Sequence, residues 1–299
     1  VINAGDRHDY EFYHQQVIKA ETLIASENYT EALFLYDQLF NDYDFIFLRE
    51  YQIASQLAFY DDDIKKSIEY VKQGILSGWE IKSMKKNEYL APLFKDEAWR
   101  SIEKEYPNLQ TQYESRLHQN IREQVKRMYA KDQKKALKAL FRLSSKSQDK
   151  YAENKFAPHS ERQMAEFSAI LESNGYPGEK LIGNNTWMST ILSHHNSIST
   201  AYNKKDTLYP MLQPRLMGAL KNGQMSPYEY VAIDDWYRTV RYGRKEATYG
   251  ILDPPSSSNL SRTNELREKI FVRPYELTDQ LMAIEEKTGM NLYLSDRWH

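Results

Sequence analysis

Apolar residues recur along this chain at three- and four-residue spacing, with polar residues between them, which is the pattern of amphipathic helices. Four such stretches occupy residues 10–25, 28–40, 45–60 and 62–74. The second and fourth align with Ala32 opposite Ser67, an offset of 35. Small residues also stand at Ala20 in the first stretch and at Ala54 and Ser55 in the third. In the C-terminal half, Ser160 to Ser173 reads as a helix stopped by Asn174-Gly175, and Asn184 or Asn185 is placed to cap a helix running through His195. Ser226-Pro-Tyr-Glu229 combines an N-cap, a first-turn proline and a capping-box glutamate, opening a helix to about Tyr242. Residues 241–252 suit a short extended or hairpin piece, 253–259 a loop, and two helices follow around 262–270 and 276–288.

The N-terminal pattern resembles a tetratricopeptide pair, whose period is about 34 residues and whose small residues let helices approach closely. Two such units leave outer faces uncovered, since about three are usually needed. The segment 81–117, with Tyr89 to Phe94 and Trp99 as anchors, is expected to cap them, with breaks near Pro92 and Pro107. The expected fold is all-α: a tetratricopeptide-like module over 1–118, then a compact helical domain over 119–299 with at most one short β-hairpin. Residues 119–150 are expected to be a basic linking helix. They carry ten Lys or Arg against Glu123, Asp132 and Asp149, a net +7.

At 299 residues, 41% hydrophobic and 27% charged, the composition is that of a globular protein, and no window nears the roughly 18 apolar residues of a membrane span. A formal charge of −2 makes no global case for nucleic acid, and the +7 segment reads as a solvated helix face rather than a nucleic-acid site. Cysteine is absent, which removes disulfides, thiolate nucleophiles and cysteine metal sites. The chain begins at Val1 without Met or a signal-type apolar run. It therefore reads as a mature or trimmed form, and the reading leans to export while the compartment stays open.

Chemistry centres on one helix. Trp187, Met188, Ile191, Leu192, Ile198 and Tyr202 form an apolar stripe, and His195 interrupts it. A buried histidine gains from a carboxylate that fixes its tautomer. Asp235 is the expected partner, because it shares a helix face with Tyr228, Val231, Ala232 and Thr239. Asp132 and Gln133 lie mid-helix, where Asp132 either pairs with Arg127 or Lys135 or marks a polar centre. A metal site would need His159, Glu161 or Asp234 to join the two histidines, and no spacing demands it. There is no glycine-rich phosphate loop, His-Glu-x-x-His or Gly-x-Ser-x-Gly, and no cofactor is implied. The Ser83-Met-Lys-Lys86 string is too short to carry chemistry.

In order along the chain, Met128-Tyr-Ala-Lys-Asp-Gln133, Gly175-Tyr-Pro-Gly178, Leu181-Ile-Gly183, His194-His-Asn-Ser197, Asp234-Asp-Trp236 and Tyr249-Gly250 resemble an uncharacterised bacterial helical family. The resemblance covers about 121–267 and implies a fold and a pocket, not a reaction. It departs at His194, Asn196-Ser197, Trp236 and Ile251-Leu252, which implies a divergent or inactive member. The candidate catalytic residues are His195, Asp235, Asp132 and Tyr249, and the candidate binding residues are Gln133, His194, Trp187 and Trp236. Together these readings predict a binding or scaffolding protein with a protein or small-molecule partner. The alternative is a hydrolase-like acid–base enzyme around His195 and Asp235.

Overall fold

In the computed structural model, residues 9–141, 144–243 and 246–294 are described. They are helices and connecting loops with no strand, so the fold is all-α among the described residues. No helix among them is long and apolar enough to cross a membrane. They divide into two units, 9–117 with 271–294, and 118–270.

In the first unit, α1 (Tyr10–Ala25) pairs with α2 (Tyr29–Asp42), and α3 (Leu48–Tyr60) with α4 (Ile64–Leu76). Asp9 starts α1 by accepting from the Glu11 amide at 2.8 Å, and Asp63 starts α4 by accepting from Lys66 at 2.9 Å. Each hairpin turns through a residue in the left-handed region, Glu27 at φ 61° and Asp62 at φ 60°. The two turns thus stand 35 residues apart, the same offset that relates Ala32 to Ser67. Ala20, Ala32, Ala54, Ser55 and Ser67 have no exposed surface, and Ser67 Oγ donates to the Ser55 carbonyl at 2.8 Å where α3 and α4 meet.

The far side of α4 is covered by α6 (Glu97–Arg116), with Trp79, Met84, Leu93, Trp99 and Ile102 buried in the seam. A short α5 (Ile81–Met84) precedes it. Contrary to the predicted break, α6 runs through Pro107. Pro107 and Glu103 both lie on its exposed face, where the carbonyl that loses its partner reaches water.

The unit is completed from the other end of the sequence. Helix α16 (Tyr275–Thr288) packs on α1, and Leu277, Leu281, Ile284, Met290 and Leu292 join the core of α1–α3. Gln56 binds Asn291 on both sides, donating to its carbonyl at 2.7 Å and accepting from its amide at 2.8 Å. Residues 271–294 therefore belong to the first unit, not to the C-terminal domain expected for 119–299. The apolar pattern of α16 is the same for either destination. Polar contacts specific to the first unit add to it: Arg273 has no exposed surface and meets Glu21 of α1 at 2.5 Å.

Glu50 of α3 gives this unit a pH dependence. It is 5% exposed, and burial pushes its carboxyl up to about 7, with Arg49 acting against the rise. A raised carboxyl stabilises the fold below its unfolded value of 4.5, and that stability is lost as pH rises through about 7. Urea denaturation is therefore expected to show lower stability at pH 8 than at pH 5. The share from Glu50 is up to about 3 kcal/mol. Glu50→Gln should flatten the fall; an unchanged slope would remove Glu50 as its source.

The second unit is built round α11 (Trp187–Asn196), which packs against α7 (Gln119–Leu140), α9 (Ala157–Asn174) and α14 (Pro227–Tyr242). The basic run forms α7 and α8 (Ser145–Tyr151), with 142–143 of that expected helix outside the described residues. Between α8 and α9, residues Ala152–Phe156 form a widened π turn. Pro158 follows it at the start of α9, and a wider turn eases the clash its ring would make with the preceding carbonyls. Then come α10 (Glu179–Ile182), α12 (Thr200–Lys205), α13 (Leu208–Lys221) and α15 (Leu260–Glu268).

Gly175 ends α9 at φ 82°, ψ −171°, a conformation only glycine adopts readily. Ser226 caps α14 as expected, accepting from the Glu229 amide at 3.1 Å, but the reciprocal half of the box is not made. The Glu229 carboxylate instead accepts from Tyr176 Oη at 2.7 Å. The expected extended piece is irregular over 246–252, and 244–245 lie outside the described residues.

Candidate functional site

The α11 stripe forms as its spacing predicts. Asn185 Oδ1 accepts from the Trp187 amide at 3.0 Å, and Met188, Ile191 and Leu192 are buried. His195 is 1% exposed. Its Nδ1 is 2.8 Å from Ser160 Oγ on α9, and its Nε2 is 3.3 Å from Asp206 Oδ2. Asp206 precedes α13 and accepts from the amides of Leu208 and Tyr209. Burial works to raise its carboxyl, but His195 and those two amides outweigh burial and hold it below its usual value.

The expected His195–Asp235 pair is therefore not formed. Asp235 has no exposed surface, and its carboxylate accepts three backbone N–H groups, from Tyr249 at 2.7 Å, Ile251 at 3.0 Å and Leu252 at 2.9 Å. A buried carboxylate needs donors, and this loop supplies them before the imidazole can. Tyr249, the fourth candidate, gives its hydroxyl to Asp234 at 2.9 Å. Tyr209 at 2.8 Å and Gln213 at 2.9 Å donate to the other Asp234 oxygen. Burial raises both carboxyls, and burial, followed by the charge of Asp234, pushes the Tyr209 and Tyr249 phenols well up. These groups are enclosed and mutually bonded, so the arrangement fixes the 246–252 segment to α14 rather than meeting a substrate.

Asp132 and His194 form the polar group that reaches open space. Asp132 on α7 has no exposed surface, and its Oδ2 is 2.5 Å from His194 Nδ1, the ring itself being 30% exposed. A carboxylate only accepts, so Nδ1 donates to it, and Nε2 is an acceptor in the neutral ring. His194 lines a pocket of about 280 Å³ with Ser197 and walls that are otherwise apolar: Ala136 and Ala139 of α7, Ala152 and Phe156 of the π turn, and Ile198. π turns inside helices recur at functional sites because they displace side chains from the regular spacing. Here Ala152 and Phe156 occupy the two ends of that turn.

Buried polar atoms on α7 and α9 stand without partners. Asp132 Oδ1, His159 Nε2 and Gln163 Oε1 have no hydrogen-bond partner. Burial holds the His159 imidazole below its ordinary value, against the charge of Asp132.

Of the remaining candidates, Trp187 is half-buried, with the Arg122 guanidinium 5.1 Å from its ring centre, while Gln133 and Trp236 are half-buried on α7 and α14. The four catalytic candidates thus fall into three places: His195 with Ser160 and Asp206, Asp235 with Tyr249, and Asp132 with His194. Sequence reasoning missed Ser160 and Asp206. Asp206 carries a readable signal, an acidic residue just before a helix with a first-turn proline at Pro210. No group of three or more His, Asp or Glu among the described residues could hold a metal ion. No protein-family model, curated protein or solved structure matches the chain, so the reading of this site rests on its geometry.

Proposed function

We propose that the second unit binds a small, largely apolar molecule that presents one hydrogen-bond donor, such as a hydroxyl, to His194. The observation that carries this is His194 itself, held by buried Asp132 at 2.5 Å while lining a pocket of about 280 Å³. Apolar walls with a small number of placed polar groups, here His194 and Ser197, are the usual composition of a small-molecule site. The pocket can be tested with benzyl alcohol and toluene, which differ by the donor, followed through the His194 ring nitrogen resonances. Benzyl alcohol is expected to shift Nε2 and toluene to leave it unmoved. Ala139→Phe, which fills the pocket and leaves the dyad intact, should abolish the shift. Equal responses to the two compounds, or binding that survives Ala139→Phe, would count against the site.

The same dyad favours a second reading, acid–base catalysis with His194 as base and Asp132 as the carboxylate that orients it. That reading moves the proposed base from His195 to its neighbour. For the first unit we keep the protein-binding role of a tetratricopeptide-like module, supported by Phe34 on α2, which is 61% exposed.

A further inference from the structure

The outward face of α7 is not the uniformly polar surface of a solvated helix. Arg127, Lys131, Lys134 and Lys138 are all exposed and follow one another at four-, three- and four-residue steps, which sets them in one stripe along the helix. Leu137 lies beside that stripe and is 50% exposed, and Phe141, one turn further on where α7 closes, is 80% exposed. All six residues precede 142–143, which lie outside the described residues. Two large apolar side chains left in water at one end of a basic stripe cost free energy until something covers them.

The acidic residues of α7 do not cancel this charge. Asp132 is buried against His194, and Glu123 sits a turn before the stripe with Lys126 at 3.8 Å. None of the four cations is held in an ion pair among the described residues. Beyond residues 119–150, with their net +7, the chain is net acidic, so the positive charge is confined to this region. Charge and apolar surface together select the occupant. A nucleic-acid duplex would meet the cations but keeps its bases stacked inside, leaving Leu137 and Phe141 uncovered. An anionic bilayer supplies both partners, phosphates at its surface and acyl chains about 5–10 Å beneath. Lys and Arg stems lie along the apolar side with their heads at the phosphates. The stripe from 127 to 138 is about 16 Å long and straight, which suits a plane.

We propose that the outward face of α7 docks this protein on an anionic membrane surface, with Arg127, Lys131, Lys134 and Lys138 at the headgroup phosphates and Leu137 and Phe141 entering the acyl layer. The test is sedimentation of the full chain with vesicles of phosphatidylglycerol and phosphatidylcholine in equal parts, and with pure phosphatidylcholine vesicles. Fluorescence anisotropy of labelled duplex DNA and labelled poly-L-glutamate gives the comparison with other polymers. The chain is expected to bind the anionic vesicles, to stay in solution with the neutral ones, and to be released as salt rises. Lys134→Gln with Lys138→Gln should weaken binding roughly twenty-five-fold, at about fivefold for each charge near such a surface. Phe141→Ala should weaken it about tenfold, the share of an apolar ring leaving water. Phe141→Trp should retain it, since that ring suits the interface. The melting temperature should hold in all three variants, because the replaced side chains are exposed. The proposal fails if the anionic vesicles are not bound, if Phe141→Ala binds them as tightly as the native chain, or if DNA or polyglutamate is bound more tightly than they are.

Discussion

Replacing Glu21 with alanine is expected to destabilise the first unit by about 3–5 kcal/mol, the usual consequence of removing one member of a buried ion pair. Glu21 is 1% exposed and faces two guanidinium groups, Arg273 at 2.5 Å and Arg49 at 2.7 Å. Arg49 has other acceptors, the carbonyls of Leu292 and Tyr293 at 3.0 and 3.1 Å. Arg273 keeps Thr278 Oγ1 at 3.1 Å and loses the Glu21 carboxylate. Urea denaturation of the variant would measure the cost. The double replacement Glu21→Met with Arg273→Met should recover much of it, because exchanging a whole buried pair for apolar side chains is often neutral or better. A Glu21→Ala variant within about 1 kcal/mol of the native chain would mean that Arg273 is not clamped to α1.

That clamp marks where the sequence stopped being legible. Local signals set the helices well: Gly175 ended α9, Ser226 opened α14, and the 35-residue offset returned in the paired turns at Glu27 and Asp62. Each of these depends on a few neighbouring residues. Pro107 is the local signal that misled, because a proline on an exposed helix face costs less than one whose orphaned carbonyl is buried. The destination of α16 was not legible, since its apolar stripe serves any core and the polar contacts that distinguish one, through Arg273, Asn291 and Leu292, join residues more than 200 positions apart.

The site was half legible for the same reason. The α11 stripe identified His194 and His195 as the residues of interest, and the basic run drew attention to Asp132. Which polar partner each histidine meets depends on how α7, α9 and α11 approach, and that follows from packing across separations of 35 residues for His195 and Ser160 and 62 for His194 and Asp132. The exposed and the buried ring also exchanged expected roles. His195, on the stripe, is sealed, while His194, about 100° round the helix, reaches the pocket.

Asp235 provides the other large expected effect, and it separates the two accounts of this helix pair. Asp235→Ala would leave the amides of Tyr249, Ile251 and Leu252 without an acceptor in a buried setting. At about 1–3 kcal/mol for each unmet buried donor, the loss should be at least about 3 kcal/mol, softened if water enters. Asp235→Asn should cost less, because its amide oxygen still accepts. Neither change should move the ring nitrogen resonances of His195, whose partners are Ser160 and Asp206, whereas Asp206→Asn should move them. If Asp235→Asn shifted His195 instead, the carboxylate would be acting on the histidine as the sequence pattern first suggested. Hydrogen exchange at 249, 251 and 252 gives the complementary reading: protection at those three amides should fall in Asp235→Ala and persist in Asp206→Asn, since only Asp235 accepts from them.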